Sequence, residues 1–192
     1  MVLKWQNEIQ ITPKVYVCGY CDSKVGPDKG LYSNAPGGQL NLYFCSYCGQ
    51  PTYFDRLGRQ FPGVRFGNPV SHLPPDVNAL YDEGRSAMAA QAYTPAVLAC
   101  RKILMNVAVS LGAQTGGSFV SYVSFLADQG YIPPNGRHWV DHIRTKSNEA
   151  NHEITLMSKD EAETLITFVE MMLKFIYELP NVVPPPTAVH TP

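Results

Sequence analysis

The chain lacks the features that would place it in a membrane or a secretory pathway. No apolar run in the sequence approaches the roughly 20 residues that a helix needs to cross a bilayer. The first ten residues, MVLKWQNEIQ, contain neither the apolar core nor the small-residue cleavage site of a signal peptide. We therefore expect a cytoplasmic protein without membrane contact. In that reducing setting, clustered cysteines bind metals more often than they form disulfides.

The chain also lacks a large excess of charge of either sign. Its formal net charge of -1 over 192 residues argues against a globally basic nucleic-acid-binding protein. The charge is nevertheless uneven, because residues 1–75 carry a net charge of +3 and the remainder carries -4. Any contact with a polyanion is therefore expected in the N-terminal part.

Cysteine is scarce, but four of the five cysteines form two Cys-x-x-Cys pairs. The pairs are Cys18-Gly-Tyr-Cys21 and Cys45-Ser-Tyr-Cys48. Each pair can present two thiolates on one turn, and four thiolates in tetrahedral geometry suit Zn²⁺. A redox role would explain one such pair but not two. Since four cysteine ligands leave no open coordination position, we predict a structural zinc site, which a module of about 45 residues needs in order to fold.

The residues around the two pairs predict a small β domain. The pattern from 14 to 54 is typical of strands, whereas the stretch GPDKGLYSNAPGG at 26–38 indicates turns and loop. We therefore assign residues 1–57 to a zinc ribbon. Residues 58–75 are rich in Pro and Gly, and we predict a connector without a regular element there.

From residue 76 the apolar period becomes helical, which predicts a helical bundle over 76–180. Helices are expected to open at Asp76, at Thr94 as an N-cap before Pro95, at Ser118, over 136–152, and at a capping box that begins with Ser158. Cys100 falls on the apolar side of the second helix and is predicted to be a core residue. The tail 181–192 is proline-rich and expected to be disordered. The predicted fold class is α+β, a small β zinc ribbon followed by an all-α bundle.

Aromatic residues and arginines alternate directly after the second cysteine pair. They are Tyr53, Phe54, Arg56, Arg59, Phe61, Arg65 and Phe66. Such a mixture can stack bases and bind phosphates, which makes the three arginines candidate nucleic-acid-binding residues. In the alternative interpretation, which we favour, the aromatic side chains dock the ribbon onto the helices while the arginines face water.

A second set of polar residues belongs to the helical part. Arg144, Asn148 and His152 follow one another at intervals of four residues and would share one face of a helix. Arg101 borders the buried face of the second helix and therefore needs an acceptor for its guanidinium. These four residues are candidate catalytic groups of a cleft that handles a phosphodiester, with His152 transferring a proton. The alternative, which we favour, is a buried polar network that fixes the register of the helices.

Several short motifs in the helical part occur in a fixed order. They are LPPDVNALYDEG from Leu73, Ala99-Cys100-Arg101-Lys102, Gly130-Tyr131-Ile132-Pro133, the run IRTKSNEANH, and a closing helix that ends at Pro180. With these motifs the segment 73–180 resembles the bacterial domain of unknown function 4145, a helical domain similar to the HEPN group. The resemblance implies a HEPN-like helical bundle, a homodimer, and a bacterial or phage-defence setting in which an N-terminal zinc ribbon is common.

The resemblance also implies an alternative, enzymatic function. HEPN ribonucleases use an Arg and a His four to six residues later, contributed by two protomers, without a metal. Here seven residues separate Arg144 from His152, which departs from that motif. We therefore expect a zinc-ribbon and helical-bundle interaction module that binds RNA, DNA or a protein partner. The alternative is a metal-independent ribonuclease that uses the Arg/His pair across a dimer interface.

Overall fold

The computed structural model describes residues 5–35, 38–132 and 156–182. They divide into two compact units. The first unit contains the chain up to Phe66 together with Met88–Gln91, and the second contains Gly67–Ala87 and the chain from Ala92 onwards. The boundary between Phe66 and Gly67 falls within the Pro/Gly-rich connector. Antiparallel strands in the first unit and helices in the second confirm the predicted α+β class.

Seven short strands lie among the described residues of the first unit. They are β1 Ile9–Gln10, β2 Tyr16–Val17, β3 Lys24–Val25, β4 Lys29–Ala35, β5 Gly38–Phe44, β6 Pro51–Phe54 and β7 Gln60–Phe61. Five of them form an antiparallel sheet in the order β1-β4-β5-β6-β7, and β2 pairs with β3 in a separate ribbon. One face of the larger sheet carries Tyr43 and Phe54, which pack with Tyr16 in an aromatic cluster beside the cysteines.

The prediction of turns and loop between the cysteine pairs was wrong for residues 29–35, which form strand β4. Residues 30–35 of this strand pair with β5, with Leu31 opposite Leu42. Glycine at position 30 serves this pairing, because a Cβ there would lie 2.0 Å from the Leu42 carbonyl oxygen. It therefore marks a close approach of two backbones, although in the sequence it resembles a turn residue. The prediction that 58–75 holds no regular element was also wrong, since β7 lies within it.

The described helices are α1 Pro75–Ala89, α2 Tyr93–Ser110, α3 Phe119–Asp128 and α4 Lys159–Leu173, followed by a π-helical turn over Lys174–Glu178 and the short α5 Leu179–Val182. Ser118 caps α3, accepting a hydrogen bond from the backbone N–H of Ser121. The predicted capping box at the start of α4 is confirmed between Ser158 and Glu161. The helix predicted over 136–152 lies outside the described residues.

The predicted N-cap of α2 was wrong. The helix begins at Tyr93, and Ala92 occupies the N-cap position without a side-chain hydrogen bond. The Thr94 hydroxyl instead accepts a hydrogen bond of 3.0 Å from the backbone N–H of Met157, 63 residues away. The Thr94 hydroxyl oxygen, which the local pattern assigned to capping, therefore accepts a long-range hydrogen bond.

The core of the second unit is formed by α2 together with α3 and α4. Cys100 is buried at 1% exposure, as predicted, and Leu104 and Val107 follow it on the same side of α2. Phe168 and Met172 on α4 are also buried. Among the described residues, none of the helices has both the length and the apolar character to cross a membrane.

Candidate metal centre

The structure brings the four predicted cysteine ligands together. The Sγ atoms of Cys18 and Cys48 lie 3.8 Å apart, as do those of Cys21 and Cys45, and all four lie within 4.8 Å of one another. Four sulfurs around Zn²⁺ at about 2.3 Å in tetrahedral geometry would be separated by about 3.8 Å. None of the four forms a disulfide. The donor set and its spacing therefore fit a closed, four-coordinate zinc site.

The two cysteine pairs share one backbone geometry. The backbone N–H of Cys18 donates to the Ser23 carbonyl at 2.9 Å, and that of Cys45 donates to the Gln50 carbonyl at 3.0 Å. Each bond therefore reaches five residues ahead. The first pair thus forms a tight turn, which we call the first knuckle (Cys18–Asp22), and the second forms the second knuckle (Cys45–Gly49).

Both knuckles end on a residue in the left-handed backbone region. In the first knuckle this residue is Asp22, with φ of 57°, and in the second it is Gly49, with φ of 74°. Glycine adopts this conformation without a steric penalty, and Asp is one of the few other residues that tolerate it. The N–H of each residue donates back to the carbonyl of the first cysteine, which closes the turn.

Backbone N–H groups also point at the sulfurs. The N–H of Tyr20 lies 3.5 Å from Cys18 Sγ, and the N–H of Cys48 lies 3.5 Å from Cys45 Sγ. Such donors stabilise a thiolate relative to a thiol. The first cysteine of each pair is almost fully buried, at 0% for Cys18 and 2% for Cys45. Burial keeps water away from these two sulfurs, whereas Cys21 and Cys48 are only half-buried.

The thiols of the cluster differ in pKa. Burial, together with the neighbouring thiols, raises the pKa of Cys48 to about 12. Burial likewise raises the pKa of Cys18 above its ordinary value. Burial acts on Cys21 too, but hydrogen bonds from Ser23 and the neighbouring thiols outweigh it and lower the pKa of Cys21 to about 7. At neutral pH at least two of the four ligands must therefore lose a proton when a metal binds.

Residues 60–65, which we call the strap, contact the backbone of the first knuckle and the residue before it. The Gln60 amide donates to the Val17 carbonyl at 2.8 Å. The Arg65 guanidinium donates to the Tyr20 carbonyl at 3.0 Å and forms an ion pair with the Asp22 carboxylate. The second knuckle has a different contact, in which the indole N–H of Trp5 donates to the Gly49 carbonyl.

The sheet of the first unit presents a row of apolar side chains on the face opposite Tyr43 and Phe54. Directly paired residues of antiparallel strands project from the same face. The pairings join Leu31, Leu42, Tyr53 and Phe61 in one line across four strands, which we call the outer row. Its two ends are exposed, at 39% for Leu31 and 46% for Phe61.

The structure separates the aromatic and arginine residues that the sequence had grouped. Tyr53 and Phe61 belong to the outer row, whereas Phe54 lies on the buried face. Arg59 is exposed, pairs with Asp55, and lies 6.0 Å from the centre of the Phe61 ring. Arg56 is also exposed. Arg65 is largely buried against the first knuckle, where its guanidinium binds the Asp22 carboxylate.

Of the four candidate catalytic residues, only Arg101 lies among the described residues. Its guanidinium carbon lies 4.5 Å from the centre of the Phe119 ring, and burial lowers its pKa. Within 5–35, 38–132 and 156–182, no hydrogen-bond acceptor for this guanidinium is found. Arg144, Asn148 and His152 lie outside the described residues, so their predicted approach to Arg101 stays a prediction.

A buried arginine that the sequence pattern did not single out lies on α1. Arg85 is 1% exposed and donates to the Gly67 carbonyl at 2.7 Å. Next to this carbonyl, Glu170 accepts hydrogen bonds from the backbone N–H and the side-chain amide of Asn68. Burial acts to raise the pKa of Glu170, but hydrogen bonds from Lys174 and Asn68 hold it below its usual value. This network ties the segment after Phe66 to α1 and α4.

The contacts that the sequence pattern did not predict join residues that are far apart in the chain. Asp22 and Arg65 are 43 residues apart, and Trp5 and Gly49 are 44 apart. No periodic pattern links such pairs. The one local signal is at Asp22, because a residue that tolerates positive φ directly follows the second cysteine, as Gly49 does in the other pair.

The comparisons with known proteins agree with the helical part of this architecture. A family model described as domain of unknown function (DUF4145) matches residues 82–183, which is more than half of the chain. No curated protein and no solved structure matches the chain. The match begins within α1 and leaves the two knuckles outside it. With its helical unit covered from α1 to beyond α5, the chain belongs to the DUF4145 family.

Proposed function

We propose that the chain is a non-catalytic binding module whose zinc-stabilised ribbon binds a single-stranded nucleic acid through the outer row. The observation that carries the proposal is the exposed aromatic end of that row. There Tyr53 and Phe61 face the same side, with the Arg59 guanidinium over the Phe61 ring. The four thiolates would hold Zn²⁺ in a closed site, so the metal would stabilise the fold and take no part in a reaction.

The ring geometry suits stacking on unpaired bases. The centroids of Tyr53 and Phe61 are 6.1 Å apart, with ring planes inclined by only 33°. Two tilted rings on the same face of the sheet offer successive platforms, and each base stacked on an aromatic side chain contributes about 1–3 kcal/mol. Bases in a duplex are already stacked on each other. The geometry therefore favours a single strand over a duplex.

Charge supports a contact with the phosphate backbone. Residues 1–75 carry a net charge of +3. The Arg59 side chain is 62% exposed, whereas the Asp55 side chain that pairs with it is 15% exposed and also accepts hydrogen bonds from the backbone N–H groups of Leu57 and Arg59. These two backbone donors stay with the carboxylate when a phosphate binds the exposed arginine, and the arginine keeps its place over Phe61. Arg56 precedes it in the same turn and is also exposed.

Fluorescence anisotropy with labelled oligo(dT) and oligo(rU) strands tests the proposal. We expect Phe61→Ala to weaken binding by about 1–3 kcal/mol, and Arg59→Gln to reduce the slope of log K against log salt by about 0.7. Leu57→Ala is the matched control, because Leu57 is 80% exposed in the same unit but is not in the outer row. Absence of binding at low salt, or equal weakening by Leu57→Ala, would reject the proposal and favour a protein partner.

A metal-independent ribonuclease is the second candidate function. The observation that favours it is Arg101, whose half-buried guanidinium lacks an acceptor among the described residues and is suited to a phosphate. In this hypothesis His152 transfers the proton, Arg144 holds charge and Asn148 orients the histidine. Incubation of the zinc-loaded chain with a mixed RNA pool in buffer without added metal tests this function, because EDTA would also remove zinc from the cysteine site. Cleavage that His152→Ala abolishes would establish the function, and intact RNA would reject it.

For the setting, we propose a bacterial or phage-defence system in which the helical unit forms a homodimer. The support is the resemblance of residues 73–180 to HEPN-like domains, which dimerise through their helices. Multi-angle light scattering on the purified chain tests the dimer. A mass of 21.3 kDa across a broad concentration range would show a monomer and contradict it.

A further inference from the structure

The strap (residues 60–65) lies directly on the first knuckle. A Cβ on Gly19 would come within 2.3 Å of the Gly63 carbonyl oxygen and 2.8 Å of the Pro62 carbonyl oxygen. The two backbones are therefore in contact, and glycine is needed between the cysteines of the first knuckle. Gln60 and Arg65 donate hydrogen bonds to backbone carbonyls on either side of this contact.

Arg65 holds the end of the knuckle through two parallel contacts. Its Nε lies 3.2 Å from Asp22 Oδ1, and its Nη2 lies 2.7 Å from Asp22 Oδ2. Both side chains are largely buried, at 15% and 19% exposure, so water screens the pair only in part. Paired contacts between a guanidinium and a carboxylate are short, directional and stronger than neutral hydrogen bonds.

The two knuckles differ at this position. Asp22 and Gly49 occupy equivalent places and have similar positive φ angles, but glycine is the residue that the conformation favours. The first knuckle thus carries a less favourable residue at a strained position, and that residue has a carboxylate that Arg65 binds. In the second knuckle Trp5 reaches the Gly49 backbone carbonyl, which needs no side chain at that position.

We propose that Arg65 and Asp22 are a positioning pair for the metal site. The pair holds the backbone that follows Cys21, together with the Tyr20 carbonyl before it, in the conformation that directs the Cys21 sulfur to the metal. Retention of Zn²⁺ then depends on residue 65, although the last of the four cysteines of the cluster is residue 48. This inference concerns the metal site alone and does not depend on nucleic-acid binding.

The test is zinc release from the full-length chain to a chromogenic chelator under reducing conditions. Partners of metal ligands typically change affinity by 10- to 100-fold when mutated. We expect Arg65→Gln and Asp22→Asn each to accelerate release by about 10-fold or more. Asparagine tolerates positive φ, so Asp22→Asn removes the charge without adding backbone strain. Arg59→Gln is the matched control, because it removes an ion pair of the same unit whose arginine is 62% exposed and leaves the Arg65–Asp22 pair in place.

A double-mutant cycle separates a pair from two independent effects. If Arg65 acts through Asp22, the double variant releases zinc no faster than the faster single variant. Arg65→Lys keeps the charge but not the paired contact, and we expect an intermediate rate. Cobalt substitution provides the second readout: an unchanged thiolate charge-transfer spectrum shows that four sulfurs still bind.

Three results of the release assay would overturn the proposal. They are a wild-type rate of release from Arg65→Gln, additive acceleration in the double variant, and equal acceleration by Arg59→Gln. If Arg65→Gln does not fold, Arg65→Lys and Asp22→Asn decide the question by the same criteria. A wild-type chain that binds no zinc would overturn it as well, whereas loss of nucleic-acid binding alone would leave it standing.

Discussion

Metal binding by the cysteine cluster should depend steeply on pH. The pKa of Cys48 is raised to about 12, and the pKa of Cys18 is also raised above its ordinary value. Both thiols therefore hold a proton at pH 7 to 8 in the metal-free chain. Zn²⁺ binds thiolates, so the metal-free state carries at least two more protons than the loaded state. Affinity, and the stability that the metal confers, are therefore present at high pH and lost as the pH falls.

Two released protons correspond to about a 100-fold rise in apparent affinity per pH unit, or about 2.7 kcal/mol. Competition with a zinc chelator at pH 7.0, 7.5 and 8.0, corrected for protonation of the chelator, measures this slope. Calorimetry in buffers of different ionisation enthalpy counts the protons directly. Cys100→Ala is the control: Cys100 is buried in the helical unit, so its removal should leave the slope and a stoichiometry of one metal unchanged. A slope below tenfold per pH unit would refute the reasoning.

The remaining predictions concern stability, measured by chemical denaturation. Leu104→Ala in the core of α2 should destabilise the helical unit by about 2–5 kcal/mol, while Leu98→Ala, at 57% exposure on the same helix, should have little effect. Gly30→Ala should disrupt the β4–β5 hairpin, because its Cβ would meet a backbone oxygen at 2.0 Å, and an unchanged midpoint would contradict that geometry. Glu170→Gln should cost about 1–3 kcal/mol at pH 7. Since the pKa of Glu170 is lowered in the fold, its contribution is present above the unfolded pKa and disappears in acid, so the wild-type and variant curves should converge there.

Local patterns were most informative where neighbouring residues decide the outcome. The Ser158 and Glu161 capping box was predicted correctly, because both partners of its hydrogen bonds lie within one helical turn. Thr94 failed as a cap since a residue 63 positions away uses its hydroxyl. The prediction of a loop around Gly30 failed for a related reason, because the backbone that closely approaches Gly30 belongs to the neighbouring strand β5.

The sequence by itself predicted which four cysteines cluster, the α+β class and the burial of Cys100. Ligand chemistry, apolar period and capping are properties of short stretches of chain. Only the tertiary structure decided that Arg65 binds Asp22 while Arg59 stays exposed, although both were candidates for the same phosphate-binding role. Strand pairing places Tyr53 and Phe61 on the outer face and packs Phe54 against the core, and no local pattern contains that pairing. The physical reason is that these contacts join residues distant in sequence, which become neighbours only when the chain folds.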